Sequence, residues 1–190
     1  LRIARGEARL PAEGGDDVAE AGPDLSALVT PASAAVVTAY NQANGVTNVR
    51  KLRQRYQQAL VALLKKSEPR ENLGLMGKVF AMLIKLCGES PAGNLALLGL
   101  AVVEGISAGA IKLNGRMAGH LKAIDGELKR LVEAGDTGLS NPVSEELGEA
   151  LLAEIQGATR QTPKIEAALG KFIRVAASVA ADEADEKVSF

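Results

Sequence analysis

Aromatic side chains are scarce in this sequence of 190 residues, which has no tryptophan, two tyrosines and three phenylalanines. Pockets for small molecules are usually lined by hydrophobic and aromatic side chains, so this scarcity argues against such a site. The one cysteine, Cys87, excludes an internal disulfide and lies among apolar residues, which indicates a small buried side chain. The one histidine, His120, excludes histidine-rich metal sites, and we interpret it as a surface residue.

An excess of charge of one sign is also lacking, because 22 lysines and arginines are balanced by 23 aspartates and glutamates. The formal net charge of −1 gives no reason to expect a polyelectrolyte partner for the whole chain. Hydrophobic residues make up 47% of the sequence, and together with 20 glycines this composition favours closely packed helices over a sheet. We therefore predict an all-α protein, an elongated helical bundle of about five to six helices.

Four helix starts are marked by a capping residue followed by proline, because the cap accepts a free backbone N–H and proline fits the first helical position. Apolar spacing places further helices at about 48–66 and 71–87. The four starts are Thr30–Pro31, Ser90–Pro91, Asn141–Pro142 and Thr162–Pro163.

The stretch Ser90–Gly135 predicts one long central helix, around which the remaining helices are expected to pack. Its first half is almost uncharged, and its second half carries apolar residues at steps of three and four, which place them on one face. We expect that face to contact a partner helix. Its members are Ile106, Ala110, Leu113, Met117, Leu121, Ile124, Leu128 and Leu131.

Glycines interrupt this predicted helix, each at a cost of about 1 kcal/mol of helix propensity relative to alanine. Either packing offsets that cost or the helix bends or breaks. Two pairs have the spacing of small residues at close helix contacts. The glycines therefore form either a second close-packing surface or a tolerant, partly exposed face. The candidates for partner binding are Gly105, Gly109, Gly115 and Gly119.

The helix at 71–87 and the first half of the long helix are both strongly apolar, which predicts an antiparallel hairpin over Leu73–Ile111. Neither half has the roughly 20 apolar residues of a transmembrane span. A buried core hairpin is our main interpretation, and a hairpin that inserts into membranes under some conditions is the alternative.

In its organisation the chain looks like the coiled-coil parts of hydrophobic translocators or effectors of bacterial type III secretion. The likeness covers part of the chain and lies in alanine-rich helices, an N-terminal arm and the scarcity of aromatic residues. This resemblance implies a secreted virulence protein that acts on membranes through the Leu73–Ile111 hairpin.

The helix predicted at 48–66 combines an apolar stripe with a basic surface that contains no acidic residue. Such a surface suits nucleic acid, anionic lipid or an acidic protein, or it is a solvated face that pairs with acids elsewhere. No nucleic-acid-binding signature accompanies it, so nucleic-acid binding through residues 50–66 is only a second alternative. Its cations are Arg50, Lys51, Arg53, Arg55, Lys65 and Lys66, of which the first four are candidates for partner binding.

The sequence has no catalytic constellation, dinucleotide fingerprint or metal-ligand spacing, so we predict neither an enzyme nor a cofactor. We predict a protein–protein interaction or assembly module that docks the helices of a partner or of its own copies. Residues 1–24 read as a flexible arm, residues 25–183 as the helical domain and residues 184–190 as an acidic tail. With no cleavable secretory signal in residues 1–10, the protein is expected to be cytoplasmic or secreted without one.

Overall fold

A computed structural model of the chain describes residues 22–174. These residues fall into two units, one of which is the helical domain Leu25–Phe172. The domain confirms the predicted all-α bundle. Its described helices are α1 Ala34–Gln42, α2 Gly45–Leu64, α3 Pro69–Cys87, α4 Pro91–Ser107, α5 Gly115–Glu133, α6 Glu145–Gln156 and α7 Pro163–Phe172, with 3-10 turns at Ser26–Leu28 and Gly135–Ser140.

The second unit contains two short antiparallel strands, β1 at Gly22–Pro23 and β2 at Ile173–Arg174. Gly22 lies opposite Arg174 in their register. Most of the predicted arm at 1–24 and all of the predicted tail at 184–190 lie outside the described residues.

Two of the four predicted helix starts are confirmed by their hydrogen bonds. The Ser90 hydroxyl accepts from the backbone N–H of Gly93 at 3.0 Å, and Pro91 is the first residue of α4. The Thr162 hydroxyl accepts from the N–H of Ile165 at 3.3 Å and caps α7. Both caps agree with the rule that a serine or threonine satisfies a free donor at the helix start.

The other two predicted starts are wrong, because in each case the helix begins three residues after the proline and a serine caps it. Ser33 caps α1 and Ser144 caps α6, each through a hydrogen bond of 3.2 Å. The residues after the two prolines use their N–H groups in long-range contacts instead. Ala32 N donates to the hydroxyl of Ser140 at 3.0 Å, and Val143 N donates to the carbonyl of Leu28 at 2.9 Å.

The predicted long helix Ser90–Gly135 is also wrong, because it is broken into α4 and α5. Gly109 has a φ of 77°, and it ends α4 as the residue that favours this left-handed conformation. Two backbone bonds close the end of α4: Ala110 N donates to Gly105 O at 2.8 Å, and Gly109 N donates to Ile106 O at 3.0 Å. Gly109, which the sequence pattern suggests is a packing residue within a long helix, therefore ends α4 instead.

The segment before α7 and the first turn of α7 form hydrogen bonds with the chain near this break. Thr159 N donates to the carbonyl of Ala110 at 2.9 Å, and the Arg160 guanidinium donates to the carbonyl of Ala108. The Glu104 carboxylate accepts from Lys164 N at 2.8 Å. The first two contacts satisfy carbonyls at and beyond the end of α4, and the Glu104 carboxylate satisfies a free backbone N–H in the first turn of α7.

The hairpin predicted over Leu73–Ile111 is formed by α3 and α4, and most of its apolar residues are buried in the core of the domain. Phe80 of α3 lies against Gly99 of α4, where an added Cβ would stand 2.6 Å from the ring. The Phe80 ring also meets Tyr56 of α2 edge-on, with 5.3 Å between the ring centroids. In the part of the chain that is described, no helix is long and apolar enough to cross a membrane.

The apolar stripe predicted in the second half of the broken helix is confirmed over α5. It buries Met117, Leu121, Ile124, Leu128 and Leu131. Leu113 precedes α5 and is 37% exposed, so the stripe begins only after the break. This face of α5 packs mainly against α2.

Candidate functional site

The basic surface predicted on α2 is divided between two roles. Arg53 faces α5, where its Nε and Nη2 donate to the two carboxylate oxygens of Asp125 at 3.0 and 3.1 Å. Gln57 donates to the same carboxylate at 3.3 Å. The hydrogen bonds from Arg53 to Asp125 raise the pKa of the Arg53 guanidinium, so the group stays charged and joins the two helices.

Lys51 and Arg55 instead line an open groove between α2 and α3, which we call the α2–α3 groove. It consists of two adjoining cavities of about 660 and 450 Å³ that share Leu52, Arg55 and Met82. Ala39 and Ala43, from α1 and its end, close one end of the groove, and Asn72 lies at the other. Of the predicted basic candidates, the structure places only Lys51 and Arg55 in this groove.

The apolar side of the groove includes two large hydrophobic side chains that are exposed to solvent. Leu75 is 49% exposed and Met82 is 51% exposed, although both are large hydrophobic side chains. They lie on α3 with Val79 between them along the same side of the helix. These two half-exposed apolar side chains share one concave surface with the cations of α2.

The candidate Arg50 and the two cations that follow α2 lie away from this groove. Arg50 is exposed and lines neither cavity. Lys65 and Lys66 are exposed at the end of α2, where Lys66 has a φ of 61° and closes the helix. The structure therefore does not bring all the predicted cations of α2 onto one surface.

The four candidate glycines do not form one close-packing surface. A Cβ at Gly105 would stand 2.5 Å from Ile111, so a side chain of the domain itself already occupies the space beside this glycine. Gly109 ends α4 through its backbone conformation. Gly115 and Gly119 lie in α5 with nothing within 4 Å of an added Cβ, so this side of α5 is open.

Three core side chains have raised pKa values, and burial is the largest cause of each shift. Burial raises the pKa of the Cys87 thiol to about 12. Burial also raises the pKa of Tyr56, whose hydroxyl donates to Leu121 O at 2.7 Å, and that of Tyr40. These groups are neutral at ordinary pH and belong to the core. Within residues 22–174, no three His, Cys, Asp or Glu side chains are grouped as metal ligands would be.

His120 is less exposed than its predicted surface position implies. Its Nε2 lies 3.3 Å from the carboxylate of Glu154 on α6, and 20% of the side chain is exposed. Arg116 donates to the same carboxylate at 2.8 Å. The three side chains link α5 to α6 in a contact that sequence spacing alone does not reveal.

Sequence reasoning missed the α3 half of the groove. Lys78 and Lys85 lie in a helix that is strongly apolar in sequence, yet both line the groove opposite α2. The available signal was their spacing: Leu75, Lys78, Met82 and Lys85 recur at steps of three and four, which places them along one side of α3.

The helices and the groove together define a class: an all-helical domain with an exposed apolar groove between two of its helices. A comparison with known protein families identifies the family of this domain. The model of the family described as "FimL scaffold protein second domain" matches residues 41–185, so this chain belongs to that family. No curated protein and no solved structure matches the chain.

Proposed function

We propose that this chain is a non-catalytic interaction domain of a scaffold protein and that it holds a protein partner at the α2–α3 groove. Two independent observations support the proposal. The family is named for a scaffold protein, and scaffolds work by binding other proteins. The groove exposes the kind of apolar surface that such binding covers.

The observation that carries the proposal is the exposure of Leu75 and Met82, each about half open to solvent. They lie in the groove, and the apolar side chains of the same helix that point inward are fully packed, such as Met76 and Phe80. The apolar surface of α3 is thus divided into a face that the domain covers and a face that it leaves for another molecule. Residues that a partner buries would account for the second face.

The cations that line the groove are exposed, which suits contact with another molecule.

The test is affinity capture from the native host, followed by binding of the purified candidate partner measured by calorimetry. Wild-type domain is compared with a Leu75→Ala/Met82→Ala double variant and with Leu113→Ala as the control. Leu113 is also an exposed leucine but lies outside the groove. We expect a purified partner to bind the wild type and the control and to lose affinity for the double variant.

The proposal fails if no captured protein binds the purified domain. Self-assembly is the second form of an interaction module, and light scattering over a range of protein concentrations measures it directly. The secreted, membrane-acting alternative stays a prediction, and leakage from dye-loaded vesicles tests it. Nucleic-acid binding through residues 50–66 also stays a prediction, to be tested by the salt dependence of binding.

A further inference from the structure

We propose that the α2–α3 groove takes an acidic amphipathic helix of the partner protein. This inference rests on the proposed function and specifies the chemistry of the partner. It follows from three properties of the groove: the sign of its charge, the position of its apolar residues and its length.

The charge of the groove has one sign. Its lining includes Lys51 and Arg55 from α2 and Lys78 and Lys85 from α3, and none of the lining residues in the described chain is acidic. The acids nearest to α3 in the sequence do not line the groove: Glu68 and Glu71 come before Asn72, and Glu89, which follows α3, pairs with Lys171. A partner with carboxylates along its edges would therefore meet cations on both sides of the groove.

These cations are available for a partner, unlike Arg53. The Arg53 guanidinium is committed to Asp125 through two hydrogen bonds. Lys51, Arg55, Lys78 and Lys85 belong to the same two helices, but all four are exposed. Bringing like charges together along a groove raises their mutual repulsion, and an acidic partner relieves it.

The apolar residues set the shape of the partner. Leu75 and Met82 are seven residues apart on α3, which separates them by about 10 Å along the helix axis at ~1.5 Å per residue. An amphipathic helix presents apolar side chains with this same repeat of i, i+3 or i+4, and i+7. Its apolar stripe would lie on Leu75 and Met82, and its flanking positions would face the cations.

The length of the groove fits a short helix. Along α2 the lining runs from Asn48 to Ala59, which corresponds to about 17 Å of helix at ~1.5 Å per residue. About three turns of a partner helix cover this distance. A duplex nucleic acid offers phosphates to the cations but no apolar stripe for Leu75 and Met82, so the observations favour the acidic helix.

The first experiment uses the protein as it exists and a set of helical peptides of roughly 15 residues. The peptides share one leucine spacing and carry glutamate, glutamine or lysine at the flanking positions, with a scrambled glutamate peptide as the control. Binding to isotope-labelled protein is followed by NMR, which detects weak complexes and locates them. We expect the glutamate peptide to bind at least about tenfold more tightly than the lysine peptide. Its shift changes should centre on Lys51, Arg55, Leu75, Met82 and Lys85.

The second experiment tests the groove by charge reversal. Arg55→Glu and Lys85→Glu are compared with Lys122→Glu, which makes the same change of charge at an exposed position of α5. We expect each groove variant to weaken the glutamate peptide about tenfold and to reduce its dependence on salt, whereas the control leaves binding unchanged. Because all three positions are exposed, circular dichroism should show the same helix content in every variant.

Several results would overturn this inference. One is the absence of shift changes in the groove at millimolar glutamate peptide, and another is equal binding of the lysine peptide. Stronger binding to phosphatidylserine vesicles or to duplex DNA than to the glutamate peptide would assign the groove to a lipid or a nucleic acid. Concentration-dependent dimerisation that the groove variants abolish would assign it to a second copy of the chain.

The inference and the proposed function fail in different ways. If a purified partner binds the domain and the charge reversals leave its affinity unchanged, the scaffold function stands and the groove is not its site. If no protein binds at all, the scaffold function itself is wrong.

Discussion

The hydroxyl of Tyr56 donates a hydrogen bond of 2.7 Å to the backbone carbonyl of Leu121, which joins α2 to α5 inside the core. Tyr56→Phe removes this donor and keeps the ring that packs against Phe80. We expect the free energy of unfolding to fall by about 1–2 kcal/mol, because a buried hydrogen bond is lost. Urea unfolding followed by circular dichroism measures the change.

Tyr40 is the matched case, because its buried hydroxyl has no hydrogen-bond partner among the described residues. Burying an unpaired hydroxyl costs free energy, so Tyr40→Phe should leave stability unchanged or raise it by up to about 1 kcal/mol. The same urea experiment compares the two variants. A larger loss for Tyr40→Phe than for Tyr56→Phe would show that the Tyr40 hydroxyl has a partner in solution.

Arg53 and Asp125 form the one ion pair between α2 and α5 in the described residues, with 22% and 19% of their side chains exposed. Arg53→Ala is expected to cost about 1–3 kcal/mol, because it removes two charge-assisted hydrogen bonds and leaves Asp125 partly buried without its main partner. Arg50→Ala, at an exposed position of the same helix, serves as the control and should stay within about 0.5 kcal/mol of the wild type. Equal effects of the two changes would contradict a structural role for Arg53.

Replacing Gly99 or Gly119 by alanine is expected to have opposite effects on stability, although the sequence presents both as helix glycines. Alanine at Gly99 brings a Cβ within 2.6 Å of the Phe80 ring, so we expect a loss of about 1–3 kcal/mol from overpacking. Alanine at Gly119 meets nothing within 4 Å and should raise stability by about 0.5–1 kcal/mol through helix propensity. Thermal unfolding of both variants checks the signs, and a stabilising Gly99→Ala would be incompatible with the packing at Phe80.

Cys87 is expected to be unreactive toward a thiol reagent in the folded protein at pH 8. Its side chain is fully buried, and the pKa of its thiol is raised to about 12, so the reactive thiolate is scarce. Reaction with a chromogenic disulfide should begin only at urea concentrations that unfold the domain. Rapid labelling in the absence of urea would show that α3 opens locally.

The same thiol makes stability depend on pH in the alkaline range. The folded thiol holds its proton to about pH 12, while the unfolded thiol loses it near its ordinary value of 9.0. The contribution of Cys87 to the free energy of unfolding is therefore fully present below the pKa of the unfolded thiol. It is lost as the pH rises toward the pKa of the folded thiol. Cys87→Ala should make this decline shallower in urea unfolding at several alkaline pH values. Identical slopes for both proteins would assign the decline to other groups.

Sequence periodicity predicted where the helical segments lie, because the buried faces of α2, α5 and α7 carry apolar residues at helical spacing, but it merged α4 and α5 into one helix. Helix ends were predicted less well. Pro31 and Pro142 look like first helical residues, but the N–H groups of Ala32 and Val143 bond across the fold, and no local pattern contains that information. Gly109 is similar, since a glycine that ends a helix and a glycine that packs inside one are identical in sequence.

The candidate site was only half predictable for a related reason. The cations of α2 stand out because no acid lies among them, whereas Lys78 and Lys85 are dispersed in an apolar helix. Their role depends on which side of α3 meets α2, which is a property of packing. The pairing of Arg53 with Asp125 was hidden for the same reason, because the two residues are far apart in the chain.

The break between α4 and α5 also has a practical consequence for experiments on this domain. Lys112 and Leu113 are exposed, and they lie beyond the hydrogen bonds that close α4 and before Asn114, which caps α5. An insertion within either helix would rotate every following side chain by roughly 100° per residue. An epitope or fluorophore placed between Lys112 and Leu113 changes the phase of neither helix. The middle of the chain therefore offers a labelling position that leaves the α2–α3 groove free.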